Sequence, residues 1–149
     1  MPTYVLLLVT LAASAAFGVA WSRRDGRTRE QADDAPRLSA DDLAALGVES
    51  LGERATLVQF TSAFCAPCRA TRRILGEVES MVDGVTYVEV DAESHLDAVR
   101  RFNVLRTPTV LVLDRVARVV VRASGQPRKV DVLAAVGKAV ERDAVGSGR

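Results

Sequence analysis

From Thr3 to Trp21 no charged side chain interrupts the chain, and nearly every residue is apolar or small. About twenty such residues at 1.5 Å rise match a hydrocarbon core of roughly 30 Å. The run therefore predicts one helix able to span a membrane, with the remaining residues left to build whatever folds beside it. Tyr4 and Trp21 bracket the run, where amphipathic rings favour the headgroup region. A cleaved signal peptide is the rival reading, and the small residues from Ala12 to Ala20 would suit it. Only Met1, Pro2 and Thr3 precede Tyr4, however, so no positive n-region leads into the apolar run. The expectation is an uncleaved anchor over residues 1–21, in contact with lipid through residues 3–21.

Charge sets the expected orientation. Arg23, Arg24, Arg27 and Arg29 all follow the span, and only the α-amino group is positive before it. The positive-inside rule then puts the C-terminal bulk on the cytoplasmic face, with the extracytoplasmic face as the alternative. Residues 22–38 are polar and charged, carry Gly26 and Pro36, and have almost no apolar side chains. Such a stretch buries too little surface to order itself and reads as a linker.

The whole chain has 149 residues, which suits one compact domain plus an appendage. A formal net charge of +1 gives no field that points to nucleic acid. Arginine greatly outnumbers lysine, but the arginines are scattered among acids and read as solvated surface. Ser39 before Ala40-Asp41-Asp42 is a helix N-cap with acids in the first turn, and Gly47 marks that short helix's end. Thr56–Thr61 reads as a buried strand. Ile74, Leu75, Val78, Met81 and Val82 then fall on one helical face. Asp83-Gly84 turns the chain into a second strand, Val85–Val90, followed by a short helix over Ser94–Phe102. Strands at Thr109–Leu113 and Val116–Arg122, joined through Asp114-Arg115, precede a closing helix with Val130, Leu133, Ala134, Val136, Gly137 and Val140 on its apolar stripe. This order predicts an α/β fold, a three-layer sandwich with a mixed central sheet over residues 39–145 and a flexible tail at 146–149.

The two cysteines, Cys65 and Cys68, lie three positions apart at the strand-to-helix junction. A disulfide framework would need more of them, and a ring this small would stabilise the fold by only roughly 2 kcal/mol. Chemistry is the better reason for the pair. A helix N-terminus exposes unpaired N–H groups and the positive end of the macrodipole, which favour a thiolate. The second sulfur, one turn into the helix, can reach back to the first, and Pro67 suits a first turn where a missing N–H costs nothing. Lowering a thiol from about 8.5 to about 7 raises the thiolate fraction at neutral pH from roughly 3% to roughly half. Reduced nucleophilicity gives back about fivefold of that. Net activation is about threefold, so substrate docking must supply much of the rate. Pro108, far along the chain, opens a strand; proline cannot donate to a ladder, so a kink or a cis peptide is expected there.

The segment Val58-Gln59-Phe60-Thr61-Ser62-Ala63-Phe64-Cys65-Ala66-Pro67-Cys68-Arg69 resembles the active-site segment of the thioredoxin family. Val88-Glu89-Val90-Asp91 and Phe102-Asn103-Val104-Leu105-Arg106-Thr107-Pro108-Thr109 follow in that family's order, and Ser124-Gly125 is similar to its later glycine loop. The resemblance runs from about residue 39 to residue 143. It implies a thioredoxin-like fold and a thiol–disulfide oxidoreductase acting on disulfide-containing proteins, as a reductase recycled by an upstream electron donor or acceptor protein. Cys65 would attack and Cys68 would resolve. Pro108 would be a cis-proline facing them, Thr107 would offer backbone hydrogen bonds to substrate, and Phe64, Ala66, Pro67 and Gly125 would line the docking surface. No cofactor beyond the Cys65–Cys68 redox couple is implied. Tethered members of this family often face out of the cytoplasm, against the charge argument.

The departures are specific. Gln59 stands where the family commonly has a buried aspartate that moves the resolving cysteine's proton, and an amide cannot accept that proton. Tyr87 replaces a frequent buried lysine, and Thr61 a usual tryptophan. Deprotonation of Cys68 is therefore expected to be slower unless water or Glu89 substitutes. Two cysteines and the only histidine, His95, fall short of a four-ligand zinc site, and His95 reads as a surface residue. The glycines are too dispersed for a phosphate-cradling loop. A partner-docking module with little general turnover is the alternative to the enzyme.

Overall fold

The computed structural model describes residues 2–24, 27–31 and 37–146. Its elements are α1 (Pro2–Arg24), β1 (Thr28–Glu30), α2 (Ala40–Ala45), β2 (Ala55–Thr61), α3 (Ala66–Met81), β3 (Val85–Asp91), α4 (Leu96–Arg101), β4 (Thr109–Asp114), β5 (Val119–Ser124) and α5 (Lys129–Gly146). The five strands form one mixed sheet in the order β1-β5-β4-β2-β3. Only β2 and β3 run parallel; every other pairing is antiparallel.

Successive strand side chains point to opposite faces, and the two cores follow that period. Ala55, Leu57, Val110 and Val112 pack with Leu75 and Val78 of α3 and Val132, Ala135, Val136 and Ala139 of α5. Val58, Phe60, Leu111 and Leu113 face the other way, onto Leu46, Val48, Ala98 and Val104. Helices on both faces give the expected three-layer sandwich. The β4–β5 register shifts between Val112 and Leu113. The extra residue this adds to β5 lets Val120 and Val121 both reach the α3/α5 core.

Several expectations shift. The closing helix buries Val132, Ala135, Val136 and Ala139, whereas Val130 is 61% exposed; valines and alanines together form its inner face, with Leu133 packed beside them. Met81, the last residue of α3, is also exposed. β5 begins at Val119: Asp114 Oδ1 accepts from the Val116 and Arg118 N–H groups, which holds the hairpin turn open through Ala117. Ser39 caps α2 in a full capping box with Asp42. Gly47 follows with φ +66, a left-handed conformation suited to glycine.

The stretch expected to be a linker is partly structured. α1 continues through Arg24, Thr28–Glu30 pairs antiparallel with β5, Arg37 bridges Arg118, and the Leu38 N–H donates to the Ala117 carbonyl at 2.8 Å. All three β1 side chains are exposed, so no apolar alternation announces the strand. An open sheet edge supplies backbone hydrogen bonds that composition cannot reveal. Residues 25–26 and 32–36 of that stretch, and 147–149 of the expected tail, lie outside the described residues.

α1 stands apart from both cores. Tyr4, Leu7, Phe17 and Trp21 are each at least 60% exposed, and no part of Thr3–Trp21 is buried. An apolar surface of that extent marks a membrane or partner contact; its length and position suit a membrane anchor or a signal sequence.

Candidate active site

β2 carries the chain into the site. Its seven residues are all buried, so Thr61 delivers Ser62–Phe64 to the sheet's rim as a short turn. Phe64 is fully exposed with φ 57, a costly conformation for an aromatic residue that persists only where the surroundings impose it. The next residue, Cys65, is the N-cap of α3, and its Sγ accepts the Cys68 N–H at 3.2 Å. No acid lies in the first turn and Pro67 occupies its start, so the helix terminus opposes no negative charge at the sulfur. Cys65 and Cys68 form a disulfide, with S–S 2.07 Å. Cys65 is partly exposed with Ala66 and Pro67 open beside it, while Cys68 is only 1% exposed.

Two distant segments complete the site. The Thr107–Pro108 peptide is cis, as expected, and Pro108 is buried at the start of β4. Thr107 Oγ1 and Ser62 Oγ share a hydrogen bond of 2.8 Å, tying this loop to the cysteine loop. The Gly125 N–H donates to the Pro108 carbonyl at 2.7 Å, with Gly125 at φ +94, so a side chain there would be strained. Leu105 projects beside them, 86% exposed. Phe64, Ala66, Pro67, Thr107, Pro108 and Gly125 thus gather at one end of the sheet.

Gln59 and Tyr87 lie under α3. Gln59 is fully buried, and its Nε2 donates to the Cys68 carbonyl at 3.0 Å. That carbonyl can only accept, which fixes the amide's orientation and turns Oε1 toward Tyr87. The Tyr87 hydroxyl reaches Gln59 Oε1 at 2.7 Å and Glu89 Oε2 at 2.9 Å. Arg72 closes the chain with two hydrogen bonds of 2.5 Å to the Glu89 carboxylate. The network Cys68–Gln59–Tyr87–Glu89–Arg72 thus runs from the buried cysteine's backbone to the surface. Burial, and then the hydrogen bond to Glu89, push the Tyr87 phenol well above its ordinary value, so it keeps its proton. Neither the phenol nor the amide can take the Cys68 proton, and Glu89, the carboxylate of this network, lies beyond Gln59 and Tyr87 from Cys68.

The sequence pattern had suggested no role for Arg122, grouped with the solvated arginines. Its guanidinium donates to the carbonyls of Phe102 and Asn103, both at 2.6 Å, and holds the loop that leads to Pro108. An arginine set between Val119–Val121 and Ala123 on a buried strand was the available signal. Ser62 offered none. His95 is exposed at the N-cap of α4.

Comparison with known proteins agrees with this geometry. The family model described as Thioredoxin matches residues 47–138. Thioredoxin Y, chloroplastic, of Oryza sativa subsp. japonica is 30% identical over 105 residues, covering 70% of this chain and 60% of that protein. Thioredoxin domain-containing protein 2 of Homo sapiens is 32% identical over 72 residues, covering 48% of this chain and 13% of that protein. The chain therefore spans less than two thirds of these curated relatives. Fasciola hepatica thioredoxin superposes with a TM-score of 0.55 at 24% identity, covering 67% of this chain and 93% of that one, and shows the shared fold.

Proposed function

The chain belongs to the thioredoxin family, and on that premise we propose that it is a membrane-anchored reductase of protein disulfides. The fold and a bonded Cys65–Cys68 pair support thiol–disulfide oxidoreductase activity. The observation that carries the reading is the asymmetry of the pair: Cys65 is reachable at a helix N-terminus, and Cys68 is buried behind it. In the reduced protein the Cys65 thiolate attacks one sulfur of a substrate disulfide, breaking that bond and releasing a substrate thiolate. Cys68 then attacks the Cys65 sulfur, releases the second substrate thiol and restores the Cys65–Cys68 disulfide. Two electrons pass to the substrate, and an upstream dithiol protein returns them. Phe64, Leu105, Thr107 and Gly125 supply the surface on which an extended substrate segment lies.

The anchor is α1, and the arginines after it favour a cytoplasmic domain, where reduction is the sustained direction. An impermeant thiol reagent applied to intact cells is expected to leave Cys65 unlabelled; labelling without lysis contradicts this topology. Turnover itself is tested on the purified chain with a protein disulfide and a dithiol donor: reduction is expected and is lost in Cys65→Ser. The neutral Gln59 favours one second reading, a docking module with little turnover. Partner binding that survives removal of both sulfurs, without catalytic reduction, would establish it.

A further inference from the structure

The membrane helix is joined to the sheet at a particular end. β1 runs antiparallel to β5, β5 antiparallel to β4, and β4 antiparallel to β2, so β1 and β2 point in opposite directions. The chain therefore enters the sheet, at Thr28, at the end where β2 releases it toward Cys65. Register makes this concrete. Thr28 pairs with Ala123, Ala123 with Val110, Val110 with Gln59 and Gln59 with Glu89, one row across all five strands, and Gln59 holds the Cys68 carbonyl. Two residues beyond Ala123 is Gly125, bonded to Pro108.

This edge strand is fastened. The Gln31 N–H donates to the Val120 carbonyl at 2.9 Å, Arg142 Nη2 donates to the Gln31 carbonyl at 3.0 Å, and Lys138 pairs with Glu30. From the end of α1 at Arg24 to Thr28 is four residue steps, at most about 14 Å of chain. Three interstrand spacings, again about 14 Å, separate Thr28 from Gln59. Attachment at the opposite end of β2 would set the cysteines farther from the anchor by about 20 Å, the length of that strand.

We propose that the catalytic end of the domain faces the bilayer, and that its substrate is a membrane-embedded protein presenting a disulfide close to the headgroups. This rests on the anchor and disulfide-exchange readings above. The short tether confines Cys65 near the lipid surface, where a disulfide beside a membrane span meets it at high effective concentration. Phe64 and Leu105, exposed at this end, suit the apolar segment flanking such a disulfide. A soluble substrate gains nothing from the tether.

Two measurements on the full chain in phosphatidylcholine–phosphatidylglycerol vesicles test this. In the first, Cys65→Ser/Cys68→Ser protein carries a donor dye through Arg106→Cys, at the catalytic end, or Asp83→Cys, at the opposite end. Energy transfer to headgroup-labelled lipid is expected to be stronger from position 106; equal or reversed transfer overturns the orientation, as does a chain that stays out of the vesicles. In the second, the intact chain, first reduced with a dithiol that is then removed, meets a synthetic transmembrane peptide whose disulfide lies beside the span, the same peptide with that disulfide on a long soluble spacer, and a soluble disulfide. Exchange is expected to be about tenfold faster for the first peptide, with the advantage lost when about twenty Gly-Ser residues, spanning roughly 25 Å, are inserted before Arg27. Equal rates for all three overturn the substrate assignment. Exchange with none of them removes the reductase reading and the substrate assignment together, while energy transfer still decides the orientation.

Discussion

Around Cys65 the chain offers a helix N-terminus without acids, an open Ala66-Pro67 pair and a backbone N–H aimed at the sulfur. Around Cys68, three residues on, it offers burial, a neutral amide and a phenol that keeps its proton. The first environment is built from neighbours in sequence. The second is built from β2, β3 and α3, brought together only by folding. In the proposed exchange Cys65 would be activated by features any helix start can provide, whereas a resolving step at Cys68 would depend on what this chain has placed at Gln59, Tyr87 and Glu89. Gln59 clamps the Cys68 backbone in position but moves no proton.

The largest effects separate the two sulfurs outright. Cys65→Ser is expected to abolish reduction of protein disulfides, while Cys68→Ser still attacks and accumulates a mixed disulfide, visible on non-reducing gels. A Cys68→Ser protein that forms no mixed disulfide would break the assignment of roles. Next comes Gln59→Glu, which puts a titratable carboxyl of equal length beneath Cys68. Release of the mixed disulfide is expected to accelerate several-fold, and the pH–rate profile should gain an ionisation; an unchanged profile would mean that Cys68 deprotonation was never limiting.

Tyr87→Phe sharpens the comparison from the other side. It leaves Gln59 Oε1 buried without its donor, at a cost of about 1–3 kcal/mol in denaturant unfolding, with the Cys65 alkylation rate unchanged. Its linkage has a definite sign. A phenol raised in the folded state contributes stability that is intact below the unfolded value of about 10 and is lost progressively as pH rises from there toward the raised folded value. Wild-type protein should therefore lose stability above that pH more steeply than Tyr87→Phe. The smallest effect belongs to Arg122→Ala, which frees the Phe102 and Asn103 carbonyls and loosens the loop before Pro108. It should raise KM for protein disulfides about two- to threefold with little change in kcat.

These contrasts also explain what could be read in advance. The cysteine pair, its helix start and Pro108 are local patterns whose chemistry follows from residue type and spacing. The sandwich was legible because the strands and α3 carry a strong period. On α5 the expected stripe contains the buried Val136 but not Val132, Ala135 and Ala139, because a helix with apolar residues on several faces does not single out the one that packs. β1 was read as linker because its stability comes from backbone pairing and not from side chains. Arg122 and the Gln59–Tyr87–Glu89–Arg72 chain depend on cross-strand register, and the sequence names their members without saying that they touch.

With Cys65 at a helix N-terminus and Cys68, one turn on, over a buried amide, the two thiols are expected to differ in acidity. Alkylation of the reduced chain across pH, with the modified peptides resolved by mass spectrometry, measures both thiols in one experiment. Cys65 is expected to titrate well below the free-thiol value of about 8.5 and Cys68 above it. Equal titration of the two, or a Cys68 more acidic than Cys65, would contradict it.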